Sequence, residues 1–461
     1  MIKTLIASRT RRRRYNHGLL LNSCSPAPTI RSTNLLGTSV LKESIKATKE
    51  DRGPQFVVNT MNKIGRDIHT VRVPVFNYEM LVTRDPRNVQ AVFATRNEDW
   101  DISPLRAEAF MPLLGEGIFT GRGERWKHSR MLVRPQFAHD QISNLSMIET
   151  NVRNLLHCLK AQTGSEDWTE KVDLQPLFFY FTIDVATQFL YGKSVESLSP
   201  ATDQTKKAFI DGKRFSENFN EAKHLVDKRG ALQKFHWLMP MKKMNKVCKE
   251  IHEVIDNLIA ERLAITDVKE DESRTFVLLD ELAKLTNDRL EMRRETLHVL
   301  MAGRDPSGSL LGWVFYFLAR HKDVFDKLRA IVVDDFGTNG QEKISYAGLR
   351  QCSYLQWVMN EAIRVTAVIP MNERTALRDT VLPVGGGEDG SQPIFVLEGT
   401  QILVPQYALQ HRPDIWGEDV EQFKPERWDG RKSGWEWIPF GAGPRKCLGR
   451  KFSCYLTESY C

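Results

Sequence analysis

Residues 290–321, LEMRRETLHVLMAGRDPSGSLLGWVFYFLARH, are apolar on most sides of what would be an unusually long helix. A surface helix carries one apolar stripe, whereas a segment apolar nearly all round has to be wrapped by other elements. This run therefore belongs at the centre of a large helical domain. Its surroundings agree. From about Val89 to His321, SNLSMIETNVRNLLHCLKAQ, VCKEIHEVIDNLIAERLAI and FVLLDELAKL place apolar residues three and four apart, the spacing of a buried helical stripe. Upstream, HTVRVPVFNYEMLVTRDP (69–86) has the β-branched residues and closing Asp-Pro of a strand pair before a helix. After SYLQWVMNEAIRV, the stretch NERTALRDTVLPVGGGEDGSQPIFVLEGTQILVPQY alternates strand-like runs with Gly-rich turns. The expected fold is mainly α with a small β region, in a single large domain without internal repeats.

Charge and cysteine usage exclude several classes of function. Residues 1–42 hold eight Lys or Arg and no acid, and removing those eight charges from the net +7 leaves the other 419 residues at −1. The body is therefore no polyanion binder, and nucleic acid is not an expected partner. The acid-free start, with RTRRRR at 9–14, fits either a transit-type targeting segment or a disordered terminus. No run of about eighteen apolar residues occurs, so no membrane-spanning helix is expected. Seven cysteines, at 24, 158, 248, 352, 447, 454 and 461, form no C-x-x-C pair, which argues against a disulfide scaffold or a zinc ribbon.

One of these cysteines has unusual neighbours. In PFGAGPRKCLGRKF (439–452), Cys447 is surrounded by glycines and cations. The following LGRKFSCYLTESY is compatible with a helix, which would put the thiol at a helix N-terminus, where free N–H groups favour a thiolate. Gly441, Gly443 and Gly449 allow tight turns and close approach to a flat ligand, Arg445 offers a fork of donors for a carboxylate, and Phe440 can cover the sulfur. A lone cysteine is by default a small buried hydrophobe. GAGPRK also begins like a dinucleotide-binding loop, but Lys446 stands where the third glycine should be.

The full string Phe440-x-x-Gly443-x-Arg445-x-Cys447-x-Gly449 resembles, position for position, the haem loop of the cytochrome P450 superfamily. The resemblance implies haem b as cofactor and Cys447 as the thiolate ligand of its iron. Other segments match in the family's order. Glu361 and Arg364 in NEAIRV, with Arg427 in KPERW, resemble the family's buried charge cluster, a structural feature rather than a catalytic one. Trp126 and Arg130 resemble its W-x-x-x-R pair, and these two with Arg374 in NERTA are implied contacts of the haem propionates. In AGRDPSG, Ala302 and Gly303 match the groove where dioxygen sits, and Asp305 matches the acid of an acid–alcohol pair that relays protons. Pro306 stands where the alcohol is usual. Ser307, about a third of a turn further on, is the remaining candidate for that hydroxyl.

Over roughly residues 35–461 the chain is similar to the fungal alkane- and fatty-acid-hydroxylating branch of that family. The segments that carry this are RGPQFVVNTMNKIGRDIHT, PLLGEGIFTGRGERWKHSRMLVRPQF and YALQHRPDIWGEDVEQFKPERW. The resemblance implies a monooxygenase that inserts one atom of dioxygen into a C–H bond of a long-chain aliphatic substrate. It also implies a separate NADPH-dependent flavoprotein reductase, association with the cytosolic face of the endoplasmic reticulum membrane, and a hydrophobic small-molecule substrate. A mitochondrial location is the alternative, and an inactive haem-binding protein or a hydroperoxide isomerase are alternatives for function. Candidate pocket walls are Phe110, Leu113, Leu114, Val368, Ile369 and Met371, which ordinary core packing would explain equally well. The family's N-terminal anchor and the several dozen residues that follow the cysteine helix have no counterpart. Residues 1–34 are thus expected to be a basic disordered or targeting segment, and 35–461 a haem-thiolate domain truncated at its C-terminus.

Overall fold

A computed structural model describes residues 2–31, 38–75, 78–137, 146–160, 171–198, 211–266, 276–337 and 344–450. They form two compact units, one built from residues 1–103 with 361–447 and the other from 104–360 with 448–461.

The first unit carries the strands. Helices α1 (Ile2–Leu21), α2 (Thr38–Lys49) and α3 (Gly53–Asn62) precede β1 (Thr70–Val75) and β2 (Tyr78–Thr83), which pair antiparallel as the 69–86 pattern predicts. Asp85 then caps α4 (Pro86–Gln90) by accepting from the Arg87 N–H at 2.9 Å, and a π-helical turn, Ala91–Thr95, continues it. The strands β3 (Trp100–Asp101), β4 (Asn372–Ala376) and β7 (Gln401–Val404) complete a five-stranded sheet in the order β1-β2-β7-β4-β3. A separate hairpin joins β5 (Thr380–Gly386) to β6 (Gln392–Val396). Val89, Phe93, Trp100, Leu382, Ile394 and Ile402 form the core between them.

The described N-terminal residues, 2–31, include the helix α1, which makes contacts with the strand region. Arg14 pairs with Asp379 at 2.7 Å and Glu398 at 3.3 Å, the Tyr15 hydroxyl meets Arg72, and the Ser25 N–H donates to the Pro393 carbonyl at 2.9 Å. The arginines that read as a free basic tail in the sequence thus partly spend their charge on acids of the hairpin region. No helix among the described residues is long and apolar enough to cross a membrane.

The second unit is helical: α5 (Pro104–Leu114), α6 (Gly123–Val133), α7 (Ser146–Lys160), α8 (Leu174–Tyr191), α9 (Gly212–Ala231), α10 (Met241–Thr266), α11 (Leu278–Ala283), α12 (Arg289–Arg320), α13 (Lys322–Phe336) and α14 (Tyr346–Gln351). Helix α15 (Ser353–Thr366) leads back to the first unit. Asp288, Asp173 and Asp211 cap α12, α8 and α9 through their first backbone N–H groups. The 32 residues of α12 form the predicted central helix, and α8 packs along it. Glycines set that approach: a Cβ on Gly308 would lie 2.8 Å from the Phe179 ring, and one on Gly312 would lie 2.4 Å from the Gln175 Oε1. Burial pushes the Asp184 carboxyl of α8 up to about 6, although the Ser197 and Leu198 N–H groups both bond it. It ties down the turn that follows α8.

Candidate functional site

The cysteine loop is held in the first unit by backbone geometry. Gly441 and Gly443 have φ of +67° and +66°, in the left-handed region that side chains rarely adopt. A Cβ on Gly443 would lie 1.7 Å from the Phe93 carbonyl oxygen, so only glycine lets the loop cross the π-helical turn. The Cys447 N–H donates to the Phe440 carbonyl at 2.9 Å, the Lys446 N–H to the Gly443 carbonyl at 3.1 Å, and Gln406 Nε2 to the Ile438 carbonyl at 3.0 Å. The outcome is a closed loop with an exposed Cys447, contrary to the default of a buried cysteine. Gly449 lies within the described residues, but most of the helix expected after Cys447 falls on 451–461, outside them.

Two arginines expected at the cofactor site, Arg445 in the loop and Arg374 on β4, lie in this unit. Arg445 Nη2 donates to Asp101 Oδ1 at 2.6 Å, and Asp101 Oδ1 also accepts from the Ile102 N–H at 2.7 Å. Arg374 on β4 is buried, with its guanidinium 4.6 Å from the Phe93 ring centre and Nη1 donating to the Glu373 carbonyl at 2.7 Å. Phe93 therefore supports Arg374 with its ring and Gly443 with its carbonyl. Sequence reasoning missed Phe93, Asp101 and Gln406. They come from distant segments and belong to no motif.

The charge cluster is also as the pattern implies. Arg364 donates twice to Glu361, both bonds at 2.9 Å, and the two side chains are fully buried. Arg427 Nε approaches Glu361 Oε1 at 3.4 Å, the Lys424 N–H reaches the same oxygen at 3.0 Å, and Trp428 Nε1 donates to Oε2 at 3.0 Å. Burial pulls the Arg427 guanidinium down, but its bonds to Asp419 and the charge of Glu361 outweigh this and raise it overall. Carboxylate and guanidinium are satisfied on all sides, as a buried ion cluster requires.

In the second unit, Trp126 and Arg130 lie on one face of α6, with the guanidinium 5.6 Å from the indole. On α12, Ala302 is exposed and Pro306 half-buried, although most of the helix around them is buried. Four residues apart, they share one face of the helix. Gly303 lies on the neighbouring face, where a Cβ would meet Ala186 of α8 at 3.9 Å. Ser307, one turn after Gly303, shares that face and is 1% exposed. It is turned roughly 140° around the helix from Ala302. Asp305 is bonded by Arg304 Nη1 at 2.6 Å and by Lys223 Nζ at 3.2 Å. Arg304, fully buried, also donates to Ser216 Oγ at 3.0 Å, and burial lowers its pKa.

Among the pocket candidates, Leu113 and Leu114 are fully buried core, Phe110 and Val368 are half-buried, and Ile369 and Met371 are exposed. Around the loop, the chemistry of the residues suits a haem: an exposed thiol on a glycine cradle, with the buried Arg374 and the half-buried Arg445 in the same unit.

A family model described as Cytochrome P450 matches residues 44–455. The chain is similar to "Cytochrome P450 monooxygenase g430" of Fusarium sp, with 38% identity over 95% of this chain and 78% of that protein. It is similar to cytochrome P450 52A13 of Debaryomyces hansenii, with 35% identity over 95% of this chain and 84% of that protein. It is also similar to cytochrome P450 52A5 of Candida maltosa, with 38% identity over 85% of this chain and 74% of that protein. The chain belongs to the cytochrome P450 family. It is a haem b-dependent monooxygenase, and members of the family take electrons from a redox partner to act with dioxygen on hydrophobic substrates.

Proposed function

We propose that the chain hydroxylates a long-chain aliphatic substrate, an n-alkane or a fatty acid, with Cys447 as the thiolate ligand of the haem iron. The observation that carries the ligand assignment is the exposed Cys447 at the end of a loop that only glycine at 443 allows. Bound haem supplies the activation of dioxygen; the protein supplies the ligand, the position and the protons. Arg374, with Trp126 and Arg130, would hold the propionates of a bound haem, and Phe440, Gly443, Arg445 and Gly449 would shape the loop around the sulfur. Ala302 and Gly303 leave room on α12, and Asp305, held between Arg304 and Lys223, is an acid of the proton supply. Phe110, Val368, Ile369 and Met371 remain candidates for the substrate channel.

The substrate class rests on the likeness to the fungal alkane- and fatty-acid-hydroxylating branch. The same likeness supports an NADPH-dependent flavoprotein reductase as the electron donor and a place on the cytosolic face of the endoplasmic reticulum membrane. One observation favours a second reading. With Pro306 in place of the alcohol and Ser307 facing α8, the site has no hydroxyl at the usual position, as would suit isomerisation of a fatty hydroperoxide without external electrons.

Cys447→Ala tests the assignment. The reduced protein under carbon monoxide shows the absorption band of a thiolate-bound haem, and the variant loses it; an unchanged band refutes the ligand. Product from a long-chain substrate with oxygen and reductase supports hydroxylation, whereas turnover of a fatty hydroperoxide without electrons supports the isomerase.

A further inference from the structure

The face of α12 that carries Ala302 also carries a file of ionisable side chains. Glu291, Glu295 and His298 precede Ala302 by eleven, seven and four residues, which puts all four within roughly 60° of one another around the helix. From Glu291 to Ala302 the file spans about 16 Å. Its outer end reaches solvent, where the Glu291 Oε1 lies 2.7 Å from Nε2 of the exposed His128. Its inner members are sealed. Glu295 is 3% exposed and His298 fully buried.

Both inner members have an atom that their surroundings do not satisfy. Glu295 Oε2 and His298 Nε2 are buried and have no hydrogen-bond partner among the described residues. A native protein seldom leaves such atoms alone; they take an ordered water or serve chemistry. Helix α6 contributes Ser129, which hydrogen-bonds Glu295, and His128, while α12 itself contributes Glu291. Around His298, the 115–121 loop contributes backbone: Nδ1 accepts from the Phe119 N–H at 3.4 Å, which leaves the ring proton for Nε2. The loop fits tightly, because a Cβ on Gly117 would lie 2.2 Å from the His298 ring.

We propose that Glu295 is the buried proton reservoir for the oxygen-binding face of α12, refilled from the His128–Glu291 pair at the surface and linked inward by His298 as a positioning residue. This rests on the monooxygenase reading. It answers the problem set by Pro306, since the usual alcohol is missing and Ser307 faces away. Burial raises the Glu295 carboxyl from its ordinary 4.5 to about 7, against the hydrogen bond from Ser129, so near neutral pH it can both hold and release a proton. Burial lowers the His298 ring to about 3, and the Gly115 backbone offsets little of that, so the ring stays neutral. The neutral ring, set against Gly117 and the Gly115 backbone, holds its place in the file instead of storing charge. Each proton that leaves Glu295 toward Ala302 is replaced from solvent at the outer end of the file, where His128 and Glu291 meet. Only O–H and N–H bonds change, and no electron moves in the relay.

Glu295→Gln keeps the shape and removes the proton. Infrared spectroscopy of the parent, with or without haem, should show the carbonyl stretch of a protonated carboxyl that disappears as pH rises through about 7, and the variant should lack it. The reduced carbon monoxide band should survive in the variant while product per electron consumed falls about tenfold, with the excess appearing as peroxide. The dependence of product yield on pH near 7 should flatten. Glu295→Asp should recover part of the yield. His298→Gln, a second route to the same test, should keep the infrared signal and lose yield. The proposal is overturned if no carboxyl titrates in that range, or if Glu295→Gln retains both yield and pH profile. Absence of the carbon monoxide band in the parent would instead count against the haem-thiolate reading, and the infrared titration would still decide whether Glu295 holds the proton.

Discussion

The carbonyl oxygen of Phe93 occupies the space where Gly443 would carry a Cβ, 1.7 Å from that atom's ideal position. The same residue's ring lies under Arg374 at 4.6 Å. One short π-helical turn thereby fixes the spacing between the cysteine loop and a buried arginine of the sheet. A backbone carbonyl cannot move aside as the end of a side chain can, and the φ of +66° adds about 1–2 kcal/mol for any other residue. Gly443→Ala should therefore fold but take up little or no haem. Haem titration followed by absorbance checks this, with circular dichroism as the control for folding; normal uptake would show that the loop tolerates displacement.

Glu361 is satisfied by Arg364, Lys424, Arg427 and Trp428 at once. Glu361→Gln removes the negative charge to which Arg364 is doubly bonded, deep in the protein, and strands the guanidinium. The expected loss is roughly 3–5 kcal/mol. Denaturant unfolding measures it, and a loss within the range of ordinary surface substitutions would mean that the cluster relaxes or hydrates.

Pro306 has no N–H to give to the Ala302 carbonyl four residues earlier, and a proline inside a helix costs about 3 kcal/mol. Pro306→Thr restores that donor and adds a hydroxyl on the Ala302 face. Thermal unfolding should move upward, and product per electron should rise. A rise in stability without a change in yield would indicate that proton supply is already complete through other groups.

The Glu295 carboxyl ties stability to pH. Unfolded, it ionises near 4.5; folded, near 7. Between those values the folded state binds more proton, so stability falls as pH climbs from about 4.5 to 7 and then levels off. The loss is on the order of 3 kcal/mol. Glu295→Gln should remove this slope and gain on the parent at pH 8 relative to pH 5. Parallel melting curves at the two values check the sign.

The sequence by itself determined the mainly helical architecture and which residues make up the cysteine loop. A nearly all-apolar run of helical length can only be central, as α12 is, and alternating β-branched runs between glycines gave the strands of the small sheets. Residue types at fixed local spacing were enough to mark Cys447 with its glycines, and Glu361 with Arg364, because those contacts lie within a few residues of each other in the chain. Tertiary structure alone decided what depends on distant segments: Phe93 under Gly443, Asp101 on Arg445, and α1 seated on the sheets by Arg14. It also decided orientation. Ser307 looked like a substitute hydroxyl from its place in the sequence, but α8 packs against its face of the helix. Glu295 and His298 belong to no motif, and burial leaves one polar atom of each without a hydrogen-bond partner among the described residues. The physical reason is that burial and partnership depend on what packs against a residue, and that is set by chain segments tens or hundreds of positions away.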